Sequence, residues 1–207
     1  MAYSSFKTIE ELLNRYTVDY RREPFVVPVP GAGLSPAARE DLAFVLSGFP
    51  YDRSEIAARE AVIFPILKDV WRHYREHLSL LSGEPLDYDD DLRGDLDYMV
   101  CRRSPRSPFV PDRPVLLAGE AKRDDLTRGW NQALGGMIAA QKLDPAPGRV
   151  LYGLVTTGRT WSFGKLDGPV FTEDPRSFGL WNLDELAGAL HFAFAACRDQ
   201  LLAAPAA

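Results

Sequence analysis

Ile9, Leu12, Leu13 and Tyr16 share one face at helical spacing, and Thr8 with Glu11 has the spacing of a capping box, so the pattern predicts a short helix there. The Pro- and Gly-rich run RREPFVVPVPGAGLSP is expected to be extended loop. Ser35-Pro36 puts Pro at a first helical position and predicts a helix to about Leu46. Ser54 is the next N-cap. It opens a long helix with Ile63, Phe64, Ile66, Leu67, Val70, Trp71, Tyr74 and Leu78 at helical spacing, kinked or delayed by Pro65. The period then changes: Leu86–Asp89 and Asp95–Cys101 alternate as strands do. Arg102–Pro114 reads as loop and Val115–Ala121 as a buried strand. A helix begins near Thr127, and its stripe Gly129, Ala133, Gly136 and Ala140 lets it lie close on a sheet. Arg149–Thr157 and Thr160–Leu166 predict a hairpin turning at Gly158-Arg159. Asn182 with Glu185 caps a last amphipathic helix to about Leu202, followed by a frayed Ala-rich end. The expected fold class is α/β: one mixed sheet covered by helices on both faces.

At 207 residues with 46% apolar content, the chain suits a single domain with a real core and excludes disorder as its main state. Residues 1–53 are expected to form an N-terminal helical extension to a core over 54–203. The net charge of −5 excludes nucleic-acid binding by bulk charge; a local basic patch or a bridging cation would be needed. Cys101 and Cys197 have no metal-ligand spacing, so neither a zinc site nor a disulfide is expected, and a reducing cytoplasm fits. No window approaches a membrane span, and the start MAYSSFKTIEE lacks a signal core, so neither export nor membrane insertion is expected.

The candidate chemistry lies in GDLDYMV (94–100) and VLLAGEAK (115–122). Glu120 and Lys122, two apart on a strand, point to the same side, as do Asp95 and Asp97. If the two strands are neighbours, Asp, Glu and Lys converge. Two carboxylates can hold a hard divalent cation such as Mg²⁺, which activates water and offsets charge on a phosphodiester in transition. A lysine beside them orients the water and stabilises developing negative charge. An exposed Glu-x-Lys pair by itself is more often a solvated strand face.

GDLDY, AGEAKRDDLTRGWNQALGGMIAAQKL and LYGLVTTGRTWSFGKL, in that order, resemble the PD-(D/E)XK nuclease superfamily, in particular its stand-alone bacterial members. SEIAAREAVIFPILKDV resembles the first core helix of that group, so the likeness spans about residues 54 to 190. The resemblance implies a restriction-endonuclease-like α/β sandwich. It implies a Mg²⁺-dependent nuclease (Mn²⁺ also serving) acting on nucleic acid, DNA in the first instance. By position, Asp97 takes the motif aspartate, Glu120 and Lys122 the (D/E)XK positions, Glu55 the helix acid and Gln132 the glutamine that follows. Asp97 and Glu120 are the implied metal ligands. The usual Pro before the aspartate is Leu96, and Gly136 stands where some members carry Tyr. Cutting both strands takes two sites, which makes a homodimer plausible. The alternative is a non-catalytic module with this fold that binds nucleic acid or a protein.

Some of these residues have plainer roles open to them. Glu55 sits beside an N-cap and could pair with Arg59 four residues on. Asp95 competes with Asp97, and Gln132 could simply hydrogen-bond the sheet. The run Asp87, Asp89, Asp90 and Asp91 lacks the Gly and Glu of a calcium loop. His73 and His77 are spaced i, i+4, but Tyr74 stands where HExxH needs Glu. Between residues 101 and 130, seven basic residues face four acidic ones, and Arg102–Arg106 lies on the loop joining the motif strands, where it could bracket a phosphate backbone.

Overall fold

The computed structural model describes residues 6–107, 110–144, 146 and 148–203. Local capping starts several helices where the sequence places them. Helix α1 (Ile9–Tyr16) begins at Thr8, whose hydroxyl accepts the Glu11 N–H. Helix α2 (Pro36–Gly48) begins at Ser35. Ser54 caps α3 (Glu55–Ala58), which passes through a π turn, Arg59–Ile63, into α4 (Phe64–Trp71). The expected long helix is thus one rod with a π turn before Pro65, and it stops at Trp71. Leu78, expected on that helix, instead opens strand β2 (Leu78–Pro85), and Leu86–Asp89, expected as a strand, lies outside the sheet. The cause is long-range pairing: β2 runs antiparallel to β3 (Asp95–Arg102), from Leu78↔Arg102 to Pro85↔Asp95.

Strand β4 (Asp112–Ala121) is joined by helix α5 (Leu126–Leu143) to a parallel neighbour, β5 (Leu151–Thr156). A parallel pair needs such a crossover. Strand β6 (Thr160–Asp167) pairs antiparallel with β5, as the hairpin pattern predicts. Four strands go unread in the sequence: β2 and, with it, β1 (Asp19–Arg22), β7 (Val170–Glu173) and β8 (Phe178–Gly179). Strand β1 lies inside the stretch expected as a helical extension and pairs parallel with β7, so residues 1–53 contribute to the sheet itself. Helix α6 (Leu183–Ala203) starts at Asn182, which exchanges hydrogen bonds with Glu185. Residues 108–109 of the expected loop, and 204–207 of the expected frayed end, lie outside the described residues.

The sheet is eight-stranded and mixed, in the order β1-β7-β6-β5-β4-β3-β2, with β8 beside β6. One face carries α2, α3–α4 and α6 over a core including Val62, Ile66, Leu116, Trp161 and Phe194. The other carries α1 and α5 over Leu12, Leu96, Met99, Ala118, Met137 and Val155. The small-residue stripe of α5 allows its close seat. A Cβ at Gly136 would stand 2.6 Å from Leu96 Cδ2, and one at Gly129 only 2.3 Å from Val155 Cγ1. The fold is therefore α/β, one mixed sheet flanked by helices. No helix among the described residues is long and apolar enough to cross a membrane.

Candidate active site

Strands β3 and β4 pair from Arg102↔Asp112 up to Tyr98↔Gly119. The next opposed pair in that register is Asp97 and Glu120, where the backbone ladder ends. Its replacement is a side-chain bond: the Ala121 N–H donates to Asp97 Oδ2 at 2.8 Å. Residues opposite one another on antiparallel strands point to the same face, so both carboxyl groups lie where the strands part.

Lys122 joins them. Its Nζ donates to Glu120 Oε2 at 3.1 Å and to the Ala121 carbonyl at 2.7 Å, and lies 3.9 Å from Asp97 Oδ2. One ammonium therefore touches both carboxyl groups. Close seating of α5 holds the lysine in place, since Gly129 lies against its Cγ. Glu120 is 2% exposed, and its Oε1 is buried with no hydrogen-bond partner. Burial, with the Asp97 charge adding to it, pushes the Glu120 carboxyl up to about 8 against the partial relief offered by Lys122. At neutral pH and with no further cation, Glu120 is mostly protonated.

The structure brings Asp97, Glu120 and Lys122 together and adds Arg59, which sequence reasoning treats only as a partner for Glu55. Arg59 Nη1 lies 2.6 Å from Asp97 Oδ1, and its guanidinium sits 5.6 Å above the Tyr98 ring. The π turn that begins at Arg59 is the structural sign of its position, and such turns gather at functional sites. Burial alone would lower the guanidinium pKa, but Asp97, Tyr98 and Glu55 outweigh it and raise it. The Tyr98 hydroxyl donates to the Arg59 carbonyl at 3.4 Å, and burial pushes that phenol up to about 12.

Glu55 influences the charges of Arg59 and Tyr98 from the start of α3. Among the described residues no group of three or more His, Cys, Asp or Glu side chains is arranged to hold a metal ion. Gln132 is half-buried on α5, and among the described residues no hydrogen bond or ion pair links it to Asp97, Glu120 or Lys122. Asp95 is exposed at the start of β3.

The basic loop after β3 lies at the wrong end of the sheet. Arg102 is five residues along β3 from Asp97, roughly 17 Å at strand rise. Arg102 is paired with Asp112, and Arg103 bonds the Arg75 carbonyl. The basic groups at the site's own end are Arg59, Arg123 and Arg159. Arg59 lines a cleft of about 360 Å³ with Ile56, Glu60, Phe64, Ser82 and Tyr98. Arg123 and Arg159 border a second cleft of about 410 Å³ beside Ser54. A larger cavity of about 580 Å³, between α1, β1, the start of α5 and β7, is lined by none of the three converging residues.

No protein-family model matches the chain, and no curated protein matches it.

The donor set suits a hard divalent cation. Two carboxyl groups share one ammonium, and the buried Oε1 of Glu120 lacks any partner. Asp97 and Glu120 would hold the ion.

Proposed function

We propose that this protein is a metal-dependent nuclease with a restriction-endonuclease-like core, hydrolysing phosphodiester bonds of nucleic acid, DNA in the first instance. The observation that carries the reading is the meeting of Asp97, Glu120 and Lys122 where β3 and β4 separate, with a buried carboxyl oxygen left without a partner. The order of elements around them supports the core assignment: a helix carrying Glu55, the two motif strands, then the α5 crossover to a parallel strand.

Bound between Asp97 and Glu120, Mg²⁺ or Mn²⁺ would supply Lewis acidity, easing deprotonation of water and offsetting charge on the phosphoryl group. The rest falls to the chain. Glu120 must give up its proton to accept the cation, so affinity rises with pH. Lys122, anchored by the Ala121 carbonyl, orients the attacking water and donates to the negative charge that develops at phosphorus. Asp97 is kept in register by the Ala121 amide.

Arg59 already supplies a cation to Asp97, and this favours a second reading in which the site is a non-catalytic binding surface. Two measurements separate them. The nuclease reading expects cleavage of DNA with Mg²⁺ or Mn²⁺ and a loss on the order of 10²–10³-fold in Lys122→Ala with the melting temperature retained. It also expects Mn²⁺ binding by calorimetry that Asp97→Asn abolishes. A folded Lys122→Ala protein that cleaves at the native rate removes the assignment, and wild-type protein that neither cleaves nor takes up Mn²⁺ leaves the binding module.

A further inference from the structure

Arg59 and Asp97 form an ion pair at the edge of the site, both side chains only partly exposed. Arg59 Nη1 approaches Asp97 Oδ1 to 2.6 Å. Here the head group is partly exposed, lies over the Tyr98 ring and forms a wall of the 360 Å³ cleft beside the site.

The charge balance gives this arrangement a purpose. Without a divalent ion, Arg59 and Lys122 are the cations nearest the two carboxyl groups, and Arg59 is the one closest to the Asp97 carboxylate. A divalent ion on the two carboxylates would satisfy both of them. Arg59 would then lose its counter-charge on the wall of the cleft it lines. A phosphodiester oxygen is the anion that restores the balance, and the five-donor guanidinium suits it.

Resting on the nuclease reading, we infer that Arg59 is a phosphate-binding residue of this site, held on Asp97 until a divalent cation takes that carboxylate. Cation and arginine compete for Asp97, and cation binding therefore primes the cleft for the nucleic-acid backbone. Arg59 is thereby a substrate ligand as well as a brake on cation uptake.

The test measures two affinities of the full chain. Mn²⁺ alone is titrated by calorimetry into wild type, Arg59→Gln and Arg59→Lys. Binding of a short fluorescent DNA oligonucleotide is then followed by anisotropy in Ca²⁺. Arg59→Gln is expected to bind Mn²⁺ about tenfold tighter and the oligonucleotide about tenfold more weakly. Arg59→Lys, which keeps the charge on the helix and hence the fold, is expected to show both changes at smaller size. A purely structural arginine would move neither affinity in these opposed directions. Unchanged or weaker Mn²⁺ binding in both variants, or unchanged oligonucleotide binding, overturns the assignment while the nuclease reading stands. A wild-type protein that binds no Mn²⁺ overturns both.

Discussion

Replacing Glu120 by Gln tests the electrostatics on which the site depends. The carboxyl is held at about 8 rather than the usual 4.5, chiefly because it is buried and then because Asp97 is near. Each pH unit of such a displacement corresponds to about 1.4 kcal/mol, so ionising Glu120 in the folded chain costs at most about 5 kcal/mol more than in the unfolded one. The native state holds the proton to higher pH than the unfolded state does. Its contribution to stability is therefore complete below 4.5 and is lost as pH rises through about 8. Glutamine keeps the volume and stays neutral throughout. In chelator-treated protein, urea unfolding should place Glu120→Gln within about 1 kcal/mol of wild type near pH 5, and at least about 2 kcal/mol above it near pH 9. Taking the difference between the two proteins cancels the titrating groups that do not interact with Glu120. A gap that stays level across that range would refute the reasoning, because it would mean that Glu120 ionises as freely in the fold as in the unfolded chain.

Two other positions carry predictions of their own. Gly129→Ala would place a Cβ 2.3 Å from Val155 Cγ1 and 3.2 Å from Lys122 Cγ, an overpacking cost of about 1–3 kcal/mol that exceeds the roughly 1 kcal/mol gained in helix propensity. Its urea midpoint should fall and cleavage should drop with it; an unchanged midpoint would show that α5 can lift off the sheet without penalty. Asp174 is buried and accepts the N–H groups of Phe25, Val26 and Arg176 as well as the Arg176 guanidinium. Burial pushes its carboxyl up, but those donors prevail and hold it at about 2. That contribution is present above 3.8 and is lost as pH falls through about 2. Asp174→Ala should cost about 3–5 kcal/mol at pH 7 and flatten the acid limb of the stability curve; a variant with wild-type acid sensitivity would contradict this.

Helix starts at Thr8, Ser35, Ser54 and Asn182 are legible in the chain because a cap joins residues only three apart, and no distant partner enters. The β5–β6 hairpin is legible for the same reason, its turn being two residues long between alternating segments. Asp97, Glu120 and Lys122 can be singled out because period-2 alternation puts each on a definite side of its strand. Other features depend on partners far along the chain. The four-residue β1, DYRR, is exposed throughout and has no apolar alternation, so it becomes a strand only by pairing with β7, some 150 residues on. The apolar helical pattern runs on to Leu78, and only the ladder with β3 makes Leu78–Pro85 extended. Arg59 has Glu55 at the favoured i, i+4 spacing, yet the fold hands it to Asp97, across the π turn on another element. The basic loop looks adjacent to the motif because it joins the two strands, but Asp97 and Glu120 stand at the strand ends away from it, and the paired strands keep the two apart. Sequence carries the identity and sidedness of the reacting groups, since these are local properties. Which charges finally surround them, and from which end a substrate can arrive, is set by long-range pairing that no local pattern encodes.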